Sequence, residues 1–222
     1  MYEASVFLEP DPAVLRAYVE AHPFAVLAVE TGSGPAVDHL PLLHEPGPGP
    51  GGRLIGHVAR ANPLWRRFES GPALAVFSAH HAYVSPDWYP TKASDPRVVP
   101  TWNYATVHAA GTLRFFHDPD RLLEVVSRLT ERFESERVHP WRVGDAPEDF
   151  VRQLVRGVVG LELEVERMVG KYKLSQNRPA EDRAGVVDGL RREGDAGGRA
   201  LAELMAGREA AVARAGARPA EG

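Results

Sequence analysis

The sequence predicts a mainly β protein with peripheral helices, built as a small antiparallel β-barrel. Short apolar runs of strand length recur along the chain, and glycine- or proline-rich turns separate them. Strands and helices do not alternate regularly, so a doubly wound parallel sheet is not expected. Residues 1–190 are predicted to form one domain. Residues 191–222 are rich in Ala, Arg and Glu, and we expect a frayed helix or a disordered tail there.

The strand predictions follow from apolar and β-branched runs bounded by turn residues. The first two runs form a hairpin across Thr31–Gly34, and a later run alternates apolar residues with glutamates, which is typical of a strand with one wet face. The predicted strands cover residues 24–29, 36–43, 53–58, 74–77, 82–84, 107–116 and 159–166.

The helix predictions depend on start signals. Asp11 before Pro12, and Asp118 before Pro119, place a capping carboxylate ahead of a proline at the first helical position. The second of these helices has apolar residues spaced by four, three and four, which defines one helical face. Shorter helices are predicted over residues 62–69 and 147–156, and the proline-rich segment 86–100 is predicted to be a loop.

Composition excludes several classes of function. The 222 residues contain no cysteine, which excludes disulfides, thiolate metal sites and cysteine nucleophiles and is consistent with a cytoplasmic protein. No apolar run reaches the length of a membrane span, and the N-terminus lacks a signal-peptide profile. The net charge of −4 argues against a broad nucleic-acid-binding surface. The nine histidines form no chelating pair on a helix, so no metal site is expected.

One motif, residues 56–63, predicts an anion site. His57 and Ala59 share a face of the third strand, and Arg60 follows where that strand meets the helix start at Asn62 and Pro63. A guanidinium beside helix N-terminal amides favours a phosphate oxygen. The alternative is that Arg60 pairs with a surface carboxylate and that Asn62 only caps the helix.

A second motif, residues 171–178, crowds lysines, hydroxyl, amides and an arginine into eight positions. This motif predicts either a binding site for a phosphate or a heterocycle, or a solvent-exposed turn. Two aromatic segments, 85–89 and 101–104, could stack on a planar ligand or lie in a subunit interface, because Trp and Tyr offer flat apolar faces with one polar atom.

Taken in order, these motifs resemble the FMN-binding negative transcriptional regulator family (PaiB-like proteins), which is related to the split-barrel flavoproteins such as pyridoxamine phosphate oxidase and flavin reductases. The resemblance covers roughly residues 1–190. The motifs that carry it are His39–Leu42, Gly56–Pro63, His81–Pro86 with Trp88–Tyr89, Val99–Tyr104 with Val107–His108, and Lys173–Arg178.

The resemblance implies a split β-barrel that forms a homodimer and holds FMN between its subunits. Arg60 is the implied partner of the phosphate, and segments 101–104 and 173–177 line the site from the same or the other protomer. Asp38 stands where the family pattern has a small hydroxyl residue, and a carboxylate there opposes a phosphate unless it points away. The implied FMN-binding residues are His39, Leu40, Pro41, Leu42, His57, Val58, Ala59, Arg60, Asn62, Trp102, Asn103, Tyr104, Lys173, Ser175, Gln176 and Asn177.

The implied function is regulatory: an FMN-binding protein that represses target genes or senses flavin state, with DNA contacted directly or indirectly and no membrane partner. The alternative is a flavin-dependent oxidoreductase or flavin reductase using NAD(P)H, in which FMN carries the electrons. His57, His108 and Tyr104 are candidate proton donors in that case. A third hypothesis is a structural dimer that has lost its cofactor.

Overall fold

The computed structural model describes residues 1–216, which contain eight β-strands and six α-helices. The strands are β1 (Leu8–Glu9), β2 (Phe24–Thr31), β3 (Gly34–Pro41), β4 (Leu43–Glu45), β5 (Arg53–Ala59), β6 (Ser70–Val84), β7 (Thr101–Phe116) and β8 (Val158–Lys173). The helices are α1 (Pro12–Ala21), α2 (Leu64–Arg67), α3 (Pro119–Glu134), α4 (Glu148–Arg156), α5 (Ala180–Glu193) and α6 (Ala196–Gly216). The predicted class, mainly β with peripheral helices, is confirmed.

The chain divides into two compact units, and each contains part of the long strands β6, β7 and β8. The first unit comprises Met1–Pro10, Ser78–Thr106 and the chain from Gly170 onward, and the second comprises Asp11–Phe77 and Val107–Val169. In the second unit the strand order is β3-β2-β6-β7-β8-β5-β4. In the first unit, β1 pairs with the end of β8. The pairs with defined register, β1–β8, β2–β3, β2–β6, β4–β5 and β5–β8, are all antiparallel.

The predicted helix starts are confirmed. The carboxylate of Asp11 accepts a hydrogen bond from the backbone N–H of Ala13 at 2.8 Å, and that of Asp118 accepts one from the backbone N–H of Arg121 at 2.8 Å. Each carboxylate satisfies an N–H that the first helical turn leaves without a partner.

Apolar residues of α3 cover one face of the sheet in the second unit. Val125 and Leu129 form a buried cluster with Ile55 of β5, and Leu43 and Phe116 pack against it. Burying these side chains removes apolar surface from water, which is the main term that holds the helix on the sheet.

Gly56 brings two strands of the predicted site together. A Cβ at this position would lie 2.8 Å from the carbonyl oxygen of Pro41 and 2.9 Å from Cδ2 of Leu42. Only the absence of a side chain permits this approach, so the end of β3 lies directly against the middle of β5 in the second unit.

Two strands are longer than the sequence predicts. The separate pieces 74–77 and 82–84 belong to one continuous strand, β6, and β8 extends seven residues beyond the predicted end at Glu166. Both extensions contain exposed polar residues, such as Ser78 and Arg167. Because backbone pairing does not require an apolar side chain at an exposed position, the pattern of apolar residues underestimates their length.

The C-terminal segment is helical over most of its length. The expected domain boundary at residue 190 falls inside α5, and α6 buries Leu201, Ala202 and Met205 in the first unit. Bidentate ion pairs join Arg183 to Glu209 and Arg191 to Glu203 across the two helices. The last part of the expected tail, residues 217–222, lies outside the described residues.

Among residues 1–216, no helix is both long enough and apolar enough to span a bilayer.

Candidate functional site

The predicted site residues fall into two groups, one in each unit. Residues 39–42 and 57–62 belong to the second unit, whereas residues 102–104 and 173–177 belong to the first.

Arg60 occupies the predicted position, immediately after the last residue of β5. Its backbone N–H donates to the carbonyl oxygen of Gly157 at 2.8 Å, and its side chain donates from Nε to Arg156 O at 2.6 Å and from Nη2 to Val158 O at 2.9 Å. A guanidinium has five N–H groups, so three remain uncommitted. Within residues 1–216, no carboxylate lies at ion-pair distance from this half-buried cation.

Trp65, which no sequence motif singled out, fixes the loop that carries Arg60. Its indole N–H donates to the carbonyl oxygen of Arg60 at 3.0 Å. The ring packs edge-on against His117 at 5.1 Å between ring centres, and the guanidinium of Arg66 lies 4.5 Å from the ring centre on α2. The only sequence signal was a tryptophan two residues after Pro63.

Asn62 binds two groups and connects the helix start to β3. Its Oδ1 accepts the backbone N–H of Leu64 at 2.8 Å, and its Nδ2 donates to Oδ2 of Asp38 at 2.9 Å. Asp38 lies opposite the fully buried Leu27 in the β2–β3 register and shares its face of the sheet. The half-buried carboxylate of Asp38 therefore points toward the candidate site.

His57 contributes a nitrogen atom without a hydrogen-bond partner. Its Nδ1 is buried and accepts or donates no hydrogen bond within the described residues. Burial lowers the pKa of the imidazole below its usual 6.5, so the ring is neutral at pH 7. A neutral imidazole with one uncommitted nitrogen can bind a hydroxyl or a ring N–H of a ligand.

The other predicted residues of the second unit differ in exposure. Leu40, Leu42 and Val58 are buried in the core, whereas His39 is exposed on the edge strand β3. The His39 ring lies 6.4 Å from that of Phe24, which is itself 65% exposed. Pro41 is half-buried and Ala59 is exposed.

In the first unit, Lys173 is held at the start of β7. Its ammonium donates to Oγ1 of Thr101 and to the carbonyl oxygen of Trp102 at 2.6 Å. Burial, followed by the nearby charge of Lys171, lowers its pKa. Trp102 is 55% exposed, and its ring lies 6.1 Å from the rings of both His81 and Tyr83.

Most side chains of the 175–177 segment hold their own turn. Ser175 is buried with a φ of 64°, and its hydroxyl accepts a hydrogen bond from Nδ2 of Asn103 at 2.9 Å. Oε1 of Gln176 accepts the backbone N–H of Leu174 at 2.7 Å, and its Nε2 donates to the carbonyl oxygen of Tyr172. Asn177 is exposed, and Tyr104 is half-buried near the ammonium of Lys171.

The aromatic segment 85–89 does not offer a face to a ligand within the first unit. Trp88 fills the space left by two glycines of α5, where a Cβ on Gly189 would lie 2.3 Å from the indole. Tyr89 is only 3% exposed, and the guanidinium of Arg178 lies 4.7 Å from its ring centre. These two aromatic residues anchor α5 instead.

The donor set around Arg60 fits a flavin phosphate. A half-buried guanidinium with three uncommitted N–H groups, an unpaired imidazole nitrogen and an asparagine lie within six residues of the chain at one end of β5. The fold is that of the split-barrel proteins. The FAD and heme binding protein of Mycobacterium smegmatis shares it with a TM-score of 0.58 and 17% sequence identity, over 80% of this chain and 78% of that one. The flavocytochrome Anf3 of Azotobacter vinelandii shares it with a TM-score of 0.55 and 17% identity, over 80% of this chain and 75% of that one.

The particular family follows from sequence. Residues 1–167 match the model of the family described as "Putative FMN-binding domain", and the chain belongs to that family, with FMN as its cofactor. It is 31% identical to the protease synthase and sporulation protein PAI 2 of Bacillus subtilis, over 92% of this chain and 96% of that protein. It is also 30% identical to an uncharacterized protein of Emericella nidulans, with the same coverage. The predicted family, fold and cofactor are confirmed.

Proposed function

We propose that this FMN-binding protein is a flavin-linked regulator of gene expression, whose FMN phosphate is anchored by Arg60. The observation that carries the proposal is the half-buried guanidinium at the end of β5, which retains three free N–H groups and has no carboxylate partner in the described chain. The reference to sporulation in the name of one relative, the protease synthase and sporulation protein PAI 2, supports the regulatory part.

The neighbouring residues have distinct roles in this proposal. Asn62 and His57 hydrogen-bond the ribityl chain or the ring edge, and the His39–Leu42 segment lies beside the ring. Arg60 has already lost conformational freedom through its contacts with the carbonyls of Arg156 and Val158, so binding a phosphate costs little further side-chain entropy. The contributions of Trp102–Tyr104 and Lys173–Asn177 stay predictions.

Two measurements test the proposal in sequence. The native protein should show the two visible absorbance bands of a flavin, and release by heating should identify it as FMN. A gel shift of the purified yellow protein on its own promoter at low salt should then show a complex. A yellow protein that shifts no promoter fragment would overturn direct regulation while leaving FMN binding intact.

A second candidate function is a flavin-dependent oxidoreductase, and the unpaired Nδ1 of His57 favours it. A neutral imidazole kept in that state by burial can accept or release a proton near a reacting group. When bound, FMN supplies the electron transfer. Anaerobic mixing with NADH or NADPH should bleach the visible bands if this function is correct, and unchanged spectra with both donors would exclude it.

We also propose that the chain forms a homodimer through exposed aromatic side chains of the first unit. Tyr83 is 49% and Trp102 55% exposed, and together with His81 they form one aromatic surface. Aromatic side chains are enriched at interfaces. Light scattering should give twice the chain mass, and Trp102→Ala should shift it toward the monomer, whereas Trp141→Ala, at an exposed tryptophan of the second unit, should not.

A further inference from the structure

A cleft in the second unit lies apart from Arg60 and has no role in the functions proposed above. Its volume is about 530 Å³, enough for a small organic molecule. Helices α1 and α3 and strand β4 form its walls, and Leu42 forms part of its apolar floor. The lining residues are Glu20, Pro23, Leu42, Leu43, His44, Arg128, Glu131, Arg132 and Ser135.

His44 faces this cleft with Nδ1, the second nitrogen of its ring. Its side chain is only 6% exposed, and Nε2 lies 2.9 Å from the carbonyl oxygen of Gly51. Since a carbonyl oxygen only accepts, Nε2 carries a proton. Nδ1 lies 3.6 Å from Oε1 of Glu20, which is longer than a hydrogen bond. A donor that contacts both atoms would complete their hydrogen bonds.

The carboxylates of the cleft define what that donor is. Glu20 and Glu131 both line the cleft, and Glu131 has no ion-pair partner within the described residues. An ammonium group has three N–H donors and a positive charge, so it can satisfy Nδ1 of His44 and both carboxylates together. A neutral hydroxyl supplies one donor and no charge.

The opposite charge is available on α3. Arg132 donates from Nη2 to the carbonyl oxygen of Glu20 at 3.0 Å and has no carboxylate partner in residues 1–216. Arg128 is already engaged, because its guanidinium pairs with the buried Glu45 and with Glu124. Arg132 is therefore the cation of the cleft that can bind a carboxylate bidentately.

We propose that this cleft binds a free α-amino acid with an apolar side chain. The ammonium lies between His44 and the two glutamates, the carboxylate lies on Arg132, and the side chain covers Pro23, Leu42 and Leu43. The ligand needs both an ammonium and a carboxylate, because the cleft presents, within the described residues, an unpaired carboxylate on Glu131 and an unpaired guanidinium on Arg132. Because Leu42 follows β3 directly, the same segment serves this cleft and the proposed flavin site, which suits a sensor of amino-acid supply.

The test titrates the purified flavin-loaded protein with L-leucine in a calorimeter, beside two probes that each lack one charge. N-Acetyl-L-leucine has no ammonium, and L-leucinamide has no carboxylate. Leucine should bind saturably at millimolar concentration or below, and each probe should bind at least about 10-fold more weakly, because each loses a charge-assisted contact. Equal affinity for all three molecules, or no saturable binding of leucine, would overturn the proposal.

Two variants assign the ends of the ligand. Arg132→Gln should weaken the binding of leucine about 10-fold and leave the affinity for leucinamide unchanged. Glu131→Gln should weaken the binding of leucine and leave the affinity for N-acetyl-leucine unchanged. Arg114→Gln and Glu69→Gln change the same charges at exposed positions outside the cleft and should bind like the parent protein. If the cleft variants match these controls while their melting temperatures are normal, the assignment fails, whatever the outcome for FMN.

Discussion

The carboxylate of Asp38 accepts a hydrogen bond at 2.9 Å from the side-chain amide of Asn62, in the loop that begins with the proposed phosphate anchor Arg60. This negative charge opposes a bound phosphate, and it acts on FMN but not on uncharged riboflavin. Asp38→Asn keeps an oxygen that can accept from Asn62 and removes the charge. We expect FMN to bind a few-fold more tightly to the variant, with riboflavin affinity unchanged, in flavin fluorescence titrations.

A parallel gain for both flavins would show that Asp38 acts on the ring or on local folding and not on the phosphate. Glu69→Gln provides the matched control, because it removes an exposed carboxylate after α2.

Removing the proposed anchor should weaken FMN binding strongly. Arg60→Gln deletes charge-assisted hydrogen bonds to the phosphate, each worth about 1.5–3 kcal/mol, or roughly a 10- to 150-fold loss in affinity. The affinity for riboflavin should fall much less. Arg67→Gln, which removes an exposed arginine of α2, should leave both affinities near their parent values, and an equal loss from the two variants would argue for general charge attraction.

His57 should make the protein less stable in mild acid. Burial lowers its pKa in the folded state, so between that value and the unfolded value near 6.5 the unfolded chain binds more protons. The contribution of His57 to the free energy of unfolding is fully present above pH 6.5 and is lost as the pH falls through the folded pKa. The loss is up to about 1 kcal/mol per pH unit after allowance for partial exposure. Urea unfolding at several pH values should show a shallower slope for His57→Gln than for His139→Gln, an exposed control.

Two glycines in the C-terminal helices should respond oppositely to alanine. At Gly189 the added Cβ would meet the Trp88 indole at 2.3 Å, so Gly189→Ala should lower the free energy of unfolding by about 1–3 kcal/mol. At Gly207 nothing lies within 4 Å, and Gly207→Ala should raise it by up to about 1 kcal/mol through helix propensity. Denaturant titration measures both, and an unchanged Gly189→Ala would mean that Trp88 does not anchor α5.

Much of the fold was predictable because local signals and the burial pattern agree. Asp11 and Asp118 each cap a helix where a proline follows, and the β2–β3 hairpin turns where the glycines predict it. The apolar run before Arg60 and the helix start at Asn62 and Pro63 also predicted Arg60 at the end of a strand. Its actual partners, the carbonyls of residues 156 and 158, come from a segment almost 100 positions away and leave no local trace in the sequence.

The roles of several motif residues were not predictable for the same reason. Gln176 binds the backbone of Tyr172 and Leu174, and Ser175 between them and Gln176 adopts a positive φ, which no residue pattern shows. The sequence left Trp88 available for a ligand, but in the structure it packs against glycines of α5. Whether a polar or aromatic side chain is free depends on contacts between segments distant in sequence.

The ion pair between Glu9 and Arg208 has a practical consequence for anyone who shortens the gene, because the Glu9 side chain is only 6% exposed. The segment that matches the family description ends at residue 167, partway along β8, and a clone trimmed there would discard Arg208 together with the Lys173–Arg178 motif. Removing the partner of a buried carboxylate costs about 3–5 kcal/mol, so such a product should be insoluble or unfolded even though it retains the whole matched segment.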